Sequence, residues 1–170
     1  MTNNDILRRL RYAFDFSDTK VIAIFRAADK QVTRAEISNW LKKEEDDDFK
    51  KLHDIELATF LNGLINNKRG KKEGEQPKPE KRLTNNIIFK KLKIALNLKS
   101  DEILQIMDSA DLKISEHELS SFFRKPGNSH YRECKDQILR TFIRGVQMKY
   151  RKEEEPKEEQ EPAKPSVWDK

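Results

Sequence analysis

The sequence is poor in the residues that mark several common classes of protein. It contains one cysteine, Cys134, so it has no intrachain disulfide and fits a reducing compartment. It contains five glycines and has neither a glycine-rich phosphate loop nor a nucleophile elbow. No apolar run approaches the roughly 20 residues of a membrane-spanning helix, and the first residues lack the features of an export signal. We therefore expect a cytoplasmic, non-enzymatic protein that does not enter a membrane.

Charged residues, by contrast, are abundant and unevenly distributed. Residues 1–152 contain 32 Lys and Arg against 23 Asp and Glu, whereas residues 153–170 contain 3 against 7. The body of the chain therefore has a net charge of +9 and the tail a net charge of −4. A basic body with an acidic tail is compatible with binding nucleic acid or an acidic protein partner. It is equally compatible with ordinary surface charge.

The chain contains an internal duplication. Aligned without gaps at an offset of 82 positions, residues 2–69 and 84–151 share 18 identities. Both copies open with Thr-Asn-Asn, and both have a glycine near their end, Gly63 and Gly145. A glycine inside a helical pattern suggests that another helix passes close to it. The two copies should therefore adopt the same fold.

Each copy has the pattern of four short helices. Apolar residues recur at helical spacing through four segments, and Phe60 and Phe142 fall on the apolar face of the last one. The third helix of each copy should begin with a capping box, since Thr33 precedes Glu36 by three positions and Ser115 precedes Glu118 likewise.

The copies differ most between their third and fourth helices. The first has an acidic run at residues 44–48, which either extends its helix or forms a loop. The second has Pro126 and Gly127, which predict a helix end at about Lys125.

These patterns predict an all-α protein with two tandem four-helix units. Residues 1–67 form the first repeat, and residues 83–152 form the second. Residues 68–82 have the composition of a charged flexible linker, and residues 153–170 that of a disordered charged tail. Because a unit of about 65 residues has a marginal core alone, we expect the two repeats to pack together.

Short elements shared by the two copies also point to a family. Thr-Asn-Asn is followed by Ile-x-x-x-Leu-x-x-Ala, then by Ala-Asp and Val/Ile-Thr/Ser-x-x-Glu-Ile/Leu-Ser, and finally by Asp-x-x-Leu-x-Thr-Phe-x-x-Gly. Over residues 1–151 this combination resembles an uncharacterised bacterial family whose members carry two copies of a domain of unknown function. The resemblance implies a bacterial origin and the two-repeat fold. It implies no activity, substrate or catalytic residue.

Basic residues occupy matching positions on the first helix of each repeat, and helical spacing turns Arg8, Arg11, Lys90 and Lys93 away from the predicted core. Such a face could bind the phosphates of DNA or RNA. No aromatic residues for base stacking accompany it. The alternative is the solvated face of an amphipathic helix. The residues are Arg8, Arg9, Arg11, Lys90, Lys91 and Lys93.

A helix-turn-helix element spanning residues 25–40 is a second nucleic-acid hypothesis. Its second helix would present Arg34, Asn39 and Lys42 to base edges or phosphates. However, the second repeat has Glu116 where the first has Arg34. Packing of any three helices would produce the same apolar pattern.

Other chemistry finds little support in the sequence. His130 and Cys134 are four residues apart, but two ligands do not make a zinc site, so we predict no metal and no cofactor. The alternative to nucleic-acid binding is a protein–protein adaptor that uses the repeats, the acidic run and the tail. In that case Trp168 near the end of the tail would be a docking motif, unless it is an incidental terminal residue.

Overall fold

The structure is a computed structural model that describes residues 1–154, with side chains up to Arg151. Within this part of the chain all regular structure is helical, with four helices in each repeat, so the predicted all-α architecture is confirmed. The predicted tail lies outside the described residues from residue 155 onward. The helices are α1 (Asn3–Phe14), α2 (Asp18–Ala27), α3 (Arg34–Leu41), α4 (Asp54–Arg69), α5 (Asn85–Ala95), α6 (Ser100–Ser109), α7 (Glu116–Phe122) and α8 (Asp136–Glu154).

Hydroxyl side chains begin the third helix of each repeat, as predicted. The Thr33 hydroxyl accepts from the Glu36 amide, and the Glu36 carboxylate accepts in return from the Thr33 amide. Ser115 accepts from the Glu118 amide, but the return bond is not formed, so the second capping box is incomplete. Helix α2 begins at Asp18, and the side chain of Ser17 caps it by accepting from the Lys20 amide.

The second asparagine of each Thr-Asn-Asn is buried and ties the first helix to two distant segments. The side chain of Asn4 donates to the carbonyls of Trp40 (2.8 Å) and Lys50 (2.9 Å) and accepts from the amide of Leu52 (3.0 Å). Asn86 makes the three equivalent bonds 82 positions further on. The duplicated motif therefore fixes the chain on both sides of the loop that precedes the last helix.

A side-chain bond from Asn86 accounts for the early end of α7, which the sequence predicted three residues further on. That helix ends at Phe122, not at about Lys125. The side-chain amide of Asn86 donates to the Phe122 carbonyl at 3.0 Å, which engages that oxygen at the end of the helix. In the first repeat the acidic run at residues 44–48 is an exposed turn, so of the two alternatives the loop is correct.

The first helix of each repeat packs against the last helix of the other repeat. α1 lies on α8 and α5 lies on α4, while α2 and α6 cover the last helix of their own repeat. At one end of the α1–α8 pair, the amino group of Met1 is 2.7 Å from Asp136 Oδ2. At the other end, Arg151 donates to the Tyr12 carbonyl at 2.6 Å. These helices therefore run parallel, and the expected association of the two repeats is confirmed.

A carboxylate at the start of α4 joins the two repeats. Asp54 accepts from the side chain of Asn3 (2.7 Å) in its own repeat and from the amide of Leu83 (2.9 Å) at the start of the other. The bond from Asn3, followed by that from Leu83, holds the pKa of Asp54 below its usual value. The amino group at the start of the chain does the same for the equivalent Asp136.

Pairs of aromatic rings lie in the core of each repeat, and the predicted core residues Phe60 of α4 and Phe142 of α8 are fully buried. Phe60 lies 5.4 Å from Phe25, between ring centroids, and Phe142 lies 4.5 Å from Phe89. The predicted close approach at the glycines of these helices is also confirmed. A Cβ atom added to Gly63 would collide with the backbone carbonyl of α2, and one added to Gly145 would collide with that of α6.

Candidate nucleic-acid interface: a groove lined by arginines

Two of the predicted phosphate ligands instead hold α1 to its neighbours. The guanidinium of Arg8 bonds the carboxylate of Asp5 (2.8 Å) and the carbonyl of Lys42 (2.7 Å) just after α3. Arg11 bonds the carboxylate of Asp18 at 2.8 Å. These side chains therefore have structural partners, and a phosphate would have to compete with them.

Lys91, another of the predicted phosphate ligands, is largely buried. Its side chain is 11% exposed, because α5 packs against α4 and the end of the linker. The Lys91 ammonium is 3.0 Å from a carboxylate oxygen of Glu80 and donates to the side-chain carbonyl of Asn62. Lys93 is also engaged, since its ammonium lies 4.6 Å from the ring centroid of Phe123.

The residues of the helix-turn-helix hypothesis are held in a similar way. Arg34 is exposed and donates to the Thr19 hydroxyl at 2.9 Å. Lys42 donates to the half-buried Asn39 at 3.2 Å and pairs with Asp48 at 3.5 Å. This surface thus combines its basic side chains with an acidic loop.

Two of the six predicted basic residues remain available. Arg9 and Lys90 are exposed, and neither makes a hydrogen bond or ion pair with any described residue. Lys90 lies on α5. Arg9, on α1, lies in a groove beside α8.

This groove is a basic site in which two arginines make no bond with a described residue. It has a volume of about 360 Å³, and Arg9, Arg140 and Arg144 line it. Arg140 also makes no hydrogen bond or ion pair with a described residue, whereas Arg144 donates to the Ala110 carbonyl at the end of α6. One carboxylate, that of Asp111, lies among the lining residues, so the groove has an excess of positive charge. We call it the arginine groove.

Both repeats are needed to build the arginine groove. Arg140 and Arg144 are four residues apart and so share one face of α8. Arg9 joins them because α1 packs against the last helix of the other repeat. Sequence reasoning missed the two arginines of α8. The alignment of the two copies contains a signal for them, because Arg140 and Arg144 stand where the first repeat has the uncharged Ala58 and Asn62.

The equivalent groove of the first repeat is mainly apolar, and the linker covers it in part. It also has a volume of about 360 Å³, and Phe25, Trp40 and Ile55 form its wall. The linker closes one side through Pro77 and Pro79. The two copies have therefore diverged at matching sites, one apolar and one basic.

The remaining candidates do not form sites in the described residues. Cys134 is 1% exposed, and burial raises the pKa of its thiol to about 12, which makes it unreactive at neutral pH. Among the described side chains, no three potential ligands come together to hold a metal ion. Trp168 lies outside the described residues. None of the described helices combines the length and apolar character needed to cross a bilayer.

The fold and the groove define a class of duplicated all-α protein in which the first helix of each repeat packs against the last helix of the other and the two repeats form a basic groove together. The family model described as "Protein of unknown function (DUF1456)" matches residues 3–70 and 85–152, so the chain belongs to this family and carries two tandem copies of its domain. It is similar to "Uncharacterized protein YehS" of Escherichia coli (strain K12), with 42% identity over 147 residues, which cover 86% of this chain and 94% of the relative. No solved structure matches the chain.

Proposed function

We propose that this protein binds nucleic acid without catalysing a reaction, and that the phosphate backbone lies in the arginine groove. The observation that supports this most directly is the set of three arginines, Arg9, Arg140 and Arg144, around one groove whose lining contains a single carboxylate. A guanidinium presents paired N–H donors that match the oxygens of a phosphate. We further propose that the protein acts in the bacterial cytoplasm.

The chemistry of the groove favours sequence-independent binding. The lining residues include no aromatic side chain on which a base could stack. The contact would then be mainly electrostatic, and affinity would depend strongly on salt. DNA and RNA present the same phosphate charge, so both are expected ligands.

The test is the salt dependence of binding to duplex DNA and to RNA. For duplex DNA, affinity should fall steeply between about 50 and 200 mM salt, with a slope of about −0.9 per phosphate neutralised. Arg9→Gln with Arg140→Gln removes two contacts and should flatten that slope by about 2. Arg26→Gln with Arg124→Gln is a matched control, because both are exposed arginines outside the groove. No binding at 50 mM salt, or equal slopes for the two double variants, would refute the proposal.

A protein–protein adaptor is the second candidate, and the apolar groove of the first repeat favours it. Ile55 on its wall is 42% exposed, and Phe25 and Trp40 lie behind it. An apolar side chain of a partner protein would find a suitable surface there. Purification with and without nuclease separates the two candidates. A high ratio of nucleic-acid to protein ultraviolet absorbance that nuclease treatment lowers supports nucleic-acid binding. A low ratio in both preparations favours the adaptor.

A further inference from the structure

The linker between the repeats is held at three points, two on the first repeat and one on α5 of the second repeat. Lys71 pairs with Asp29 at 2.6 Å near its start. In the middle, Asn66 of α4 donates to the side-chain carbonyl of Gln76 at 3.2 Å. At its end Glu80 pairs with Lys91, as described above. The segment that follows the first repeat therefore returns along α4 and closes the groove of that repeat.

The arginine groove is the matching site of the second repeat. Residues that line the first groove, Ala28 and Thr59, correspond to Ala110 and Thr141 at the offset of 82. The cation that meets the linker, Lys91, corresponds to Arg9. Glu80, the linker carboxylate beside Lys91, has no described counterpart beside Arg9.

The segment that follows the second repeat has the composition to supply that counterpart. The offset of 82 carries linker residues 76–80 onto residues 158–162, which read Glu-Glu-Gln-Glu-Pro. The linker sequence Glu-Gln-Pro-Lys-Pro at residues 75–79 also returns, with two single insertions, as Glu-Gln-Glu-Pro-Ala-Lys-Pro at residues 159–165. The tail thus repeats the pattern of the linker and adds negative charge where the groove has gained arginines.

The chain is long enough to make the connection. From Glu154 back to the level of Arg144 is ten residues of helix, or about 15 Å. The six residues from Glu154 to Gln160 can span up to about 20 Å when extended. The tail can therefore turn back along α8, as the linker turns back along α4.

We propose that residues 158–165 dock in the arginine groove, with the carboxylates of Glu158, Glu159 and Glu161 paired to its arginines. The tail would then lie in the groove of the second repeat, as the linker lies in the groove of the first. Docking itself does not depend on the proposed function. Its consequence does: a docked tail would compete with phosphate, so deletion of residues 153–170 would strengthen nucleic-acid binding.

Paramagnetic relaxation in the full chain tests the docking without any nucleic acid. Ser166→Cys accepts a nitroxide label selectively, because the one native thiol, Cys134, is buried. The label should broaden the amide signal of Thr141 beyond detection and leave that of Thr59 intact. Thr59 is the internal control, since it lies at the matching position of the other groove.

Three changes should restore the Thr141 signal if the docking is correct. They are the Arg9→Gln and Arg140→Gln pair, replacement of the three tail glutamates by glutamine, and salt of about 1 M, at which the Debye length is about 3 Å. The Arg26→Gln and Arg124→Gln pair should leave the signal broadened. An unaffected Thr141 signal at low salt, or equal broadening at Thr59, would overturn the docking. Loss of nucleic-acid binding with the broadening intact would overturn only the proposed function.

Discussion

At the scale of single residues, the asparagines that open each repeat have a structural role that their polarity does not suggest. A polar residue at the start of a helix is normally read as a cap or as surface. Asn4 is 2% exposed and uses its side-chain amide to pair three backbone groups from two other segments. Periodicity cannot reveal this, because the partners lie 36 to 48 residues away in the sequence.

The stability of Asn4→Ala tests this role. The substitution leaves two carbonyls and one amide without their partner, and each buried group so stranded costs about 1–3 kcal/mol. We expect the free energy of unfolding, measured by urea denaturation, to fall by at least about 2 kcal/mol. Asn67→Ala is the control, because Asn67 is exposed on α4 and should change stability by about 0.5 kcal/mol or less. Equal midpoints for the two variants would contradict the assigned role.

At the scale of elements, the apolar period located the helices but not their partners. The buried positions of Phe60 and Phe142 follow from local spacing, and the structure confirms them. The period shows which face of a helix is apolar, whereas the helix that covers the face depends on the path of the whole chain. The burial of Lys91 could not be predicted for this reason, since its carboxylate partner Glu80 lies in a segment without apolar periodicity.

The contact between α2 and α4, and its copy between α6 and α8, can be tested at the glycines. Gly63→Ala and Gly145→Ala each force a methyl group into a backbone carbonyl of the facing helix. We expect each to lower the free energy of unfolding by about 1–3 kcal/mol or more, although alanine is the better helix former. Gly127→Ala should be nearly neutral, because its Cβ would meet open space. Stabilisation by the first two changes would show that these helices are further apart.

At the scale of the whole molecule, acid should weaken the junction between the repeats. The pKa of Asp54 is lower in the folded protein than its ordinary value of about 4. Its bonds to Asn3 and Leu83 therefore contribute stability above about pH 4, and this contribution is lost as the pH falls through the folded pKa. Asp54→Asn should be less stable than the parent at neutral pH, and the difference should narrow below about pH 4.

Thermal unfolding from neutral pH to about pH 3 measures this difference. Asp47→Asn removes the same charge from an exposed turn and serves as the control. A difference between parent and Asp54→Asn that stays constant with pH would show that the carboxylate charge does not contribute to the junction.

The reciprocal packing of each first helix on the last helix of the other repeat is the arrangement of a two-fold homodimer contained in one polypeptide. Two separate copies of one domain could associate in the same way, but their pairing would depend on concentration. A short tether replaces that dependence by an effective concentration in the millimolar range. The tether also allows the sequences of the two halves to diverge, so one half could keep an apolar groove while the other acquired Arg140 and Arg144. Covalent fusion therefore permits an asymmetry that identical subunits cannot have.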